Sequence, residues 1–181
     1  MHYHIEIRPK TLYFKKQAGT SRGTYTERKS WYICLTAEET PGRQGIGECA
    51  PLPKLSCDDV PGYEEVLAKA CQNYTRTGRI NVDELRDYPS ILFGLETAIR
   101  HFEAGSFALW DTPFSRGETG IPINGLVCMG SYEEMLKQAA DKIKSGFHCI
   151  KLKIGAIDFD KELEILRIIR KQFSSDEIEL R

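Results

Sequence analysis

The stretch Cys149-Ile150-Lys151-Leu152-Lys153-Ile154-Gly155 sets two lysines at alternate positions inside an apolar run. Side chains of a β-strand alternate between its faces, so Lys151 and Lys153 share one side while Ile150, Leu152 and Ile154 share the other. At a rise of about 3.3 Å per residue, the two ammonium groups stand roughly 7 Å apart. Two cations on one face of an interior strand are costly unless a negative charge is bound there or a neutral lysine is needed. Alone, the pattern equally fits a strand with one wet face, so its meaning depends on its surroundings.

Those surroundings alternate. Ile121–Val127 reads as a short strand, and Ser131-x-x-Glu134 is a capping box that opens a helix. The apolar side of that helix carries Leu136, Ala139, Ala140 and Ile143, and Gly146 is placed to end it. After the lysine strand, a helix runs from about Asp158, its cap, to Phe173, with Phe159, Leu163, Leu166, Ile168 and Ile169 at helical spacing. Ile178-Glu179-Leu180-Arg181 begins one more strand. This β-α-β-α-β order predicts parallel strands joined by right-handed crossovers. In a closed eight-stranded barrel, inward side chains near the strand C-termini line the active site and outward ones pack on helices. Lys151 and Lys153 then face inward, which a solvated strand face does not supply.

The first half reads differently. Tyr3–Arg8 continues to Leu12-Tyr13-Phe14, a loop follows at Gln17–Gly23, and Ser30–Thr36 is rich in strand formers. Pro41-Gly42 marks a turn before a third strand, Gln44–Cys49, which makes a three-stranded antiparallel meander. Helices are expected at Gly62–Tyr74, Val82–Arg86 and Ser90–Glu103, the last capped by Ser90. The fold class is therefore α/β: an α+β domain over residues 1–109, then the first strands of a (β/α) barrel over 110–181.

Composition bounds the function. The 181 residues carry a net charge of −1, with 41% hydrophobic and 28% charged residues, ordinary for a globular chain with a core. Basic residues are scattered, which argues against a nucleic acid or an anionic membrane as partner. No apolar run approaches the roughly 20 residues of a membrane span. Six cysteines at irregular spacing, none in Cys-x-x-Cys, fit buried thiols in a reducing cytoplasm better than disulfides or zinc. His2-x-His4 reads as a surface pair rather than a metal site.

Together these features resemble the enolase superfamily, in its muconate-cycloisomerase-like branch. Gly45-Ile46-Gly47-Glu48-Cys49-Ala50-Pro51-Leu52-Pro53 is similar to that family's Gly-x-Gly-Glu-x-x-Pro segment, which leads into a loop covering the barrel mouth. Gly19–Gly23 is similar to its mobile lid. Pro89–Ala98 and Asn124-Gly125 look most like the o-succinylbenzoate synthases of menaquinone biosynthesis, while dipeptide epimerases and N-acylamino-acid racemases share most of the motifs.

The resemblance implies a lyase that removes the proton α to a carboxylate, with Mg²⁺ stabilising the enediolate. Lys153 would be the general base, and Lys151 would lie beside the carboxylate; a second cation next to a lysine makes its neutral amine more accessible. A hydroxyl then leaves on the same face and an aromatic ring forms. Ser21 and Arg22 on the lid, Asn124 and Arg181 are the implied contacts to a small-molecule carboxylate substrate. Glu48 orients the covering loop rather than acting as an acid. The barrels of this branch also admit homo-oligomers. The acidic metal ligands are expected just beyond Arg181, so the chain reads as the N-terminal portion of the enzyme, inactive alone. The opposing non-enzyme reading is an assembly module that buries its barrel edge against a partner.

Overall fold

The computed structural model describes residues 1–20, 23–155 and 157–181. It divides into two compact units, one of Met1–Gln17 with Tyr25–Thr119 and one built on Gly120–Arg181.

The first unit opens with two long strands, β1 (Tyr3–Thr20) and β2 (Gly23–Ala37), followed by β3 (Gln44–Cys49). The sheet order is β1-β2-β3, and β2 runs antiparallel to β3 with Trp31 opposite Cys49 and Thr36 opposite Gln44. Gly42, at φ 81°, closes the turn between them, where the Arg43 amide donates to the Thr40 carbonyl at 3.1 Å. The meander is the expected one, but Gln17–Thr20 and Gly23 are strand rather than loop. From Pro9 to Gln17 the side chains of β1 are exposed, Tyr13 by 75%. A two-stranded ribbon satisfies its backbone across the strands without an apolar face, so hydrophobic alternation does not report its length.

Two helices cover one face of this sheet. In α1 (Tyr63–Thr77) the buried positions are Tyr63, Leu67, Cys71 and Tyr74, a single stripe. In α2 (Pro89–Ala104) they are Ile91, Gly94, Leu95, Ala98, His101 and Phe102. Glycines allow α2 to lie directly on β3. A Cβ built at Gly47 would stand 1.8 Å from the Gly94 carbonyl oxygen, and one at Gly45 would stand 1.9 Å from that of Ala98. The reverse contact is equally tight, since a Cβ on Gly94 would meet the Cys49 sulfur at 2.3 Å. The core around this seam gathers Ile33, Leu35, Leu67, Ile91, Leu95 and Phe102.

Two local expectations change here. Val82–Arg86 is not an α-helix but a run of turns, with the Leu85 amide bonding Val82 and the Tyr88 amide bonding Leu85, anchored by the buried Leu85. Ser90 does not cap α2; the helix starts one residue earlier at Pro89, whose missing N–H costs nothing at that position. The capping oxygen comes from the buried Asp58. It accepts from the Ser90 amide at 2.8 Å and the Ser90 hydroxyl at 2.5 Å.

The second unit runs β4 (Gly125–Val127), α3 (Tyr132–Lys144), β5 (Cys149–Leu152), α4 (Phe159–Gln172) and β6 (Glu179–Leu180). The strands are parallel in the order β4-β5-β6, with Leu126 level with Lys151 and Ile150 level with Leu180. Its core packs Val127, Ile150, Leu152 and Ile178 from the strand segments against Met135 and Ala139 of α3 and Ile165 and Ile169 of α4. The Ser131–Glu134 capping box is formed reciprocally, and Asp158 accepts from the Asp160 amide at 3.0 Å. Gly146, at φ 87°, follows the end of α3 as expected. β4 is shorter than expected: Ile121 and Ile123 are exposed, and Pro122 has no N–H to give a ladder. The buried stripe of α4 is Glu162, Ile165 and Ile169, turned away from Phe159, which is exposed.

Candidate active site

β5 carries the lysine motif as an alternating strand. Ile150 and Leu152 are buried on the side covered by helices, while Lys151 is exposed and Lys153 half-buried. Lys153 lies one residue past the strand, yet its amide continues the ladder by donating to the Val127 carbonyl at 3.1 Å. The alternation ends there. Ile154 is exposed rather than packed on helices, because the chain turns at Gly155, where φ is 93°.

β6 brings Arg181 to the same face. The Arg181 amide donates to Ile150 and the Arg181 carbonyl accepts from Leu152, both at 2.9 Å, which sets Arg181 level with Lys151. Its guanidinium is ion-paired with Glu179 at 2.7 Å. Lys151, Lys153 and Arg181 thus stand with Glu179 on the face opposite the core. Such a surface is net positive and suits an anionic ligand.

The remaining residues are not gathered here. Asn124 is half-buried and precedes β4; by register it is level with Cys149, four positions and roughly 13 Å short of Lys153 along the strands. Ser21 and Arg22 lie outside the described residues. Glu48 faces Tyr32 across the β2–β3 ladder in the first unit, where burial and then Glu48 itself raise the Tyr32 hydroxyl above its ordinary range. The loop after Glu48 is tied to β2, since Tyr25 donates to the Pro53 carbonyl at 2.8 Å and Arg28 to that of Ala50 at 2.5 Å.

Two side chains near Lys153 were not singled out by pattern. Gln138 of α3 accepts from the Cys128 amide at 2.9 Å and donates to the Cys128 carbonyl at 3.2 Å. Glu162 of α4, only 5% exposed, accepts from the Gly155 amide at 2.6 Å. A glutamate on the stripe that also holds Ile165 and Ile169 was the available signal for the second. No comparable signal marks Gln138, whose position on α3 is half-buried.

Among the described residues, no three His, Cys, Asp or Glu side chains cluster as a metal site. On the lysine face Glu179 is already tied to Arg181. These residues therefore do not by themselves fit a divalent cation. All six cysteines are free; Cys49 and Cys71 are buried, Cys34 and Cys149 half-buried, and Cys57 and Cys128 exposed, so burial is less general than expected. Among the described residues, no helix is long and apolar enough to cross a membrane.

Comparison with known proteins follows the same division. Residues 14–102 match the family described as MenC, N-terminal domain. The chain is 34% identical, over 98% of its length, to an o-succinylbenzoate synthase of Desulfotalea psychrophila (strain LSv54 / DSM 12343) and spans 56% of that relative. The crystal structure of MenC from Desulfotalea psychrophila LSv54 matches with a TM-score of 0.68 and 27% identity, covering 100% of this chain and 56% of that one. A dipeptide epimerase from Enterococcus faecalis V583, complexed with Mg and the dipeptide L-Leu-L-Tyr, matches with a TM-score of 0.74 and 18% identity, covering 100% and 53%. At that identity the likeness is one of fold. The chain spans about half the length of the curated relative it matches.

Proposed function

We propose that the whole protein is an o-succinylbenzoate synthase of the enolase superfamily, a reading supported by the match of residues 14–102 to the MenC N-terminal domain family and by 34% identity to an o-succinylbenzoate synthase over 98% of this chain. It would dehydrate 2-succinyl-6-hydroxy-2,4-cyclohexadiene-1-carboxylate to o-succinylbenzoate in menaquinone biosynthesis. The observation that carries this reading is the paired display of Lys151 and Lys153 at the C-terminal end of β5, on the face opposite the core.

In this reading the Lys153 amine takes the proton α to the substrate carboxylate. The electron pair left on carbon spreads to the carboxylate oxygens, where the Lys151 ammonium offsets the growing charge. The ring hydroxyl then leaves on the same face, the proton on Lys153 being available to carry it off as water, and the ring becomes aromatic. Arg181, level with Lys151, supplies a further cation for substrate carboxylate. Ser21, Arg22 and Asn124 are substrate contacts on the strength of the resemblance alone. Mg²⁺, when bound, would supply charge at the substrate carboxylate, and we place its acidic ligands outside this chain. The free thiols support a cytoplasmic setting. Homo-oligomerisation is carried over from the family.

The test is turnover by the whole protein that contains this chain. Lys153→Ala should lower kcat by about 10³-fold or more, and Lys151→Ala by about 10²-fold, with the far-ultraviolet spectrum unchanged. Undiminished dehydration by Lys153→Ala would sink the assignment. A wild-type protein that leaves the cyclohexadiene untouched but exchanges the α-proton of a dipeptide would be an epimerase instead.

A further inference from the structure

Lys153 sits where strand order ends. β5 stops at Leu152, the chain turns at Gly155, and the Lys153 amide is held by the Val127 carbonyl at the last residue of β4. A base in that position would wander unless the strand exits on both sides were fixed. They are fixed, each by a polar side chain reaching back from the helix that follows its own strand.

On one side Gln138 makes two hydrogen bonds to the backbone of Cys128, the residue immediately after Val127. On the other, Glu162 in the first turn of α4 binds the Gly155 amide, two residues after Lys153. Glu162 is nearly fully buried on a stripe that an apolar residue would fill at lower cost, since a buried carboxyl group is expensive unless bonded. Gly155 has a left-handed backbone that other residues rarely adopt, so its amide is presented in one particular direction. The same device thus occurs twice, once before and once after the lysine.

We propose that Gln138 and Glu162 are positioning residues, a bracket that sets the backbone of Lys153 from both sides; this rests on the reading of Lys153 as the base. Neither side chain touches substrate in this account. Their effect reaches the reaction through the placement of the Lys153 amine, where a displacement of about 1 Å is enough to cost about 10²-fold in rate.

Three variants of the whole protein test the bracket: Glu162→Met, Glu162→Gln and Gln138→Met. Each methionine variant should lower kcat about 10- to 100-fold while KM stays within about twofold. Glu162→Gln keeps an acceptor for the Gly155 amide and should recover most of that loss. Amide hydrogen exchange supplies a readout independent of turnover. Exchange at Lys153 should quicken about tenfold or more in both methionine variants, with Ile150 unchanged. A merely structural role would instead speed exchange throughout the second unit. Unchanged kcat or unchanged Lys153 exchange in the methionine variants would overturn the proposal, as would equal losses in Glu162→Gln and Glu162→Met. If Glu162→Met fails to fold, Gln138→Met and Glu162→Gln decide it by the same readouts. Full turnover by a Lys153→Ala protein would refute the base assignment while leaving the exchange result standing, so the two failures are distinguishable.

Discussion

The two sheets of this protein are secured in opposite ways. β3 meets α2 through missing side chains: Gly45 and Gly47 bring the strand against backbone carbonyls of the helix, which cannot swing aside, and Gly94 leaves room for the Cys49 sulfur. The parallel strands β4 to β6 are only two to four residues long and are held by side-chain tethers, namely the Ser131–Glu134 box, Gln138 on Cys128 and Glu162 on Gly155. The first arrangement makes a rigid slab that tolerates no added atom. The second leaves the lysine face free of packing duty while each strand exit is still aimed by a specific hydrogen bond. A platform and a site place different demands on a sheet, and here they are met by different chemistry.

The sharpest way to break the contrast is Gly47→Ala. Its methyl group would have to share space with the Gly94 carbonyl at 1.8 Å, so the helix must lift off the sheet. The expected loss is more than about 3 kcal/mol, beyond ordinary overpacking, because the obstacle is backbone. Denaturant unfolding measures it; a loss below about 1 kcal/mol would show that the seam can give after all.

Alkaline titration separates the units next. Burial pushes the thiols of Cys49 and Cys71 from 9.0 up to about 12 in the folded chain, with Cys71 adding to the shift at Cys49. Between those values the unfolded chain has released protons that the folded chain keeps, so stability falls as pH rises above about 9. At pH 10 the two thiols should leave the first unit weaker by about 2.7 kcal/mol than at pH 8. Cys49→Ala together with Cys71→Ala should largely remove that drop, leaving the smaller part due to the Tyr63 and Tyr74 hydroxyls, which burial also raises. Both buried thiols belong to the first unit, whereas Cys128 and Cys149 of the second are exposed and half-buried.

The smallest effect is expected at a tether. Ser131→Ala deletes the acceptor for the Glu134 amide and should cost about 1 kcal/mol in thermal or denaturant unfolding, without disturbing the first unit. A loss as large as that for Gly47→Ala would erase the distinction between the two ways of holding a sheet.

Much of this architecture is legible in the residues alone. The lysine alternation, the capping box, the Asp158 cap, the Gly146 stop and the Pro41-Gly42 turn all act within a few residues of themselves, so local chemistry reports them. What escapes pattern reading depends on distant neighbours. The strand arms around Gly19 and Gly23 look like loop because a ribbon needs no apolar face. Ser90 looks like a cap because the actual capping group, Asp58, lies 32 residues away in sequence. Glu162 hides on a stripe that spacing alone would assign to Phe159 and Leu163. Of the site, the two lysines are placed together with Arg181, whereas Asn124 stands at the far end of its strand, a separation that only register reveals.

The glycine seam also bears on how the chain reaches its fold. Gly47 and Gly94 are 47 residues apart, with all of α1 in the intervening loop, so their contact closes a long loop whose entropy is lost before any packing is gained. Helices α1 and α2 can form on their own much faster than that closure. The meeting of β3 with α2 is therefore the step expected to limit the rate at which the first unit assembles. A single methyl group on Gly47 would then slow refolding as well as hasten unfolding, if the seam is already formed at the barrier.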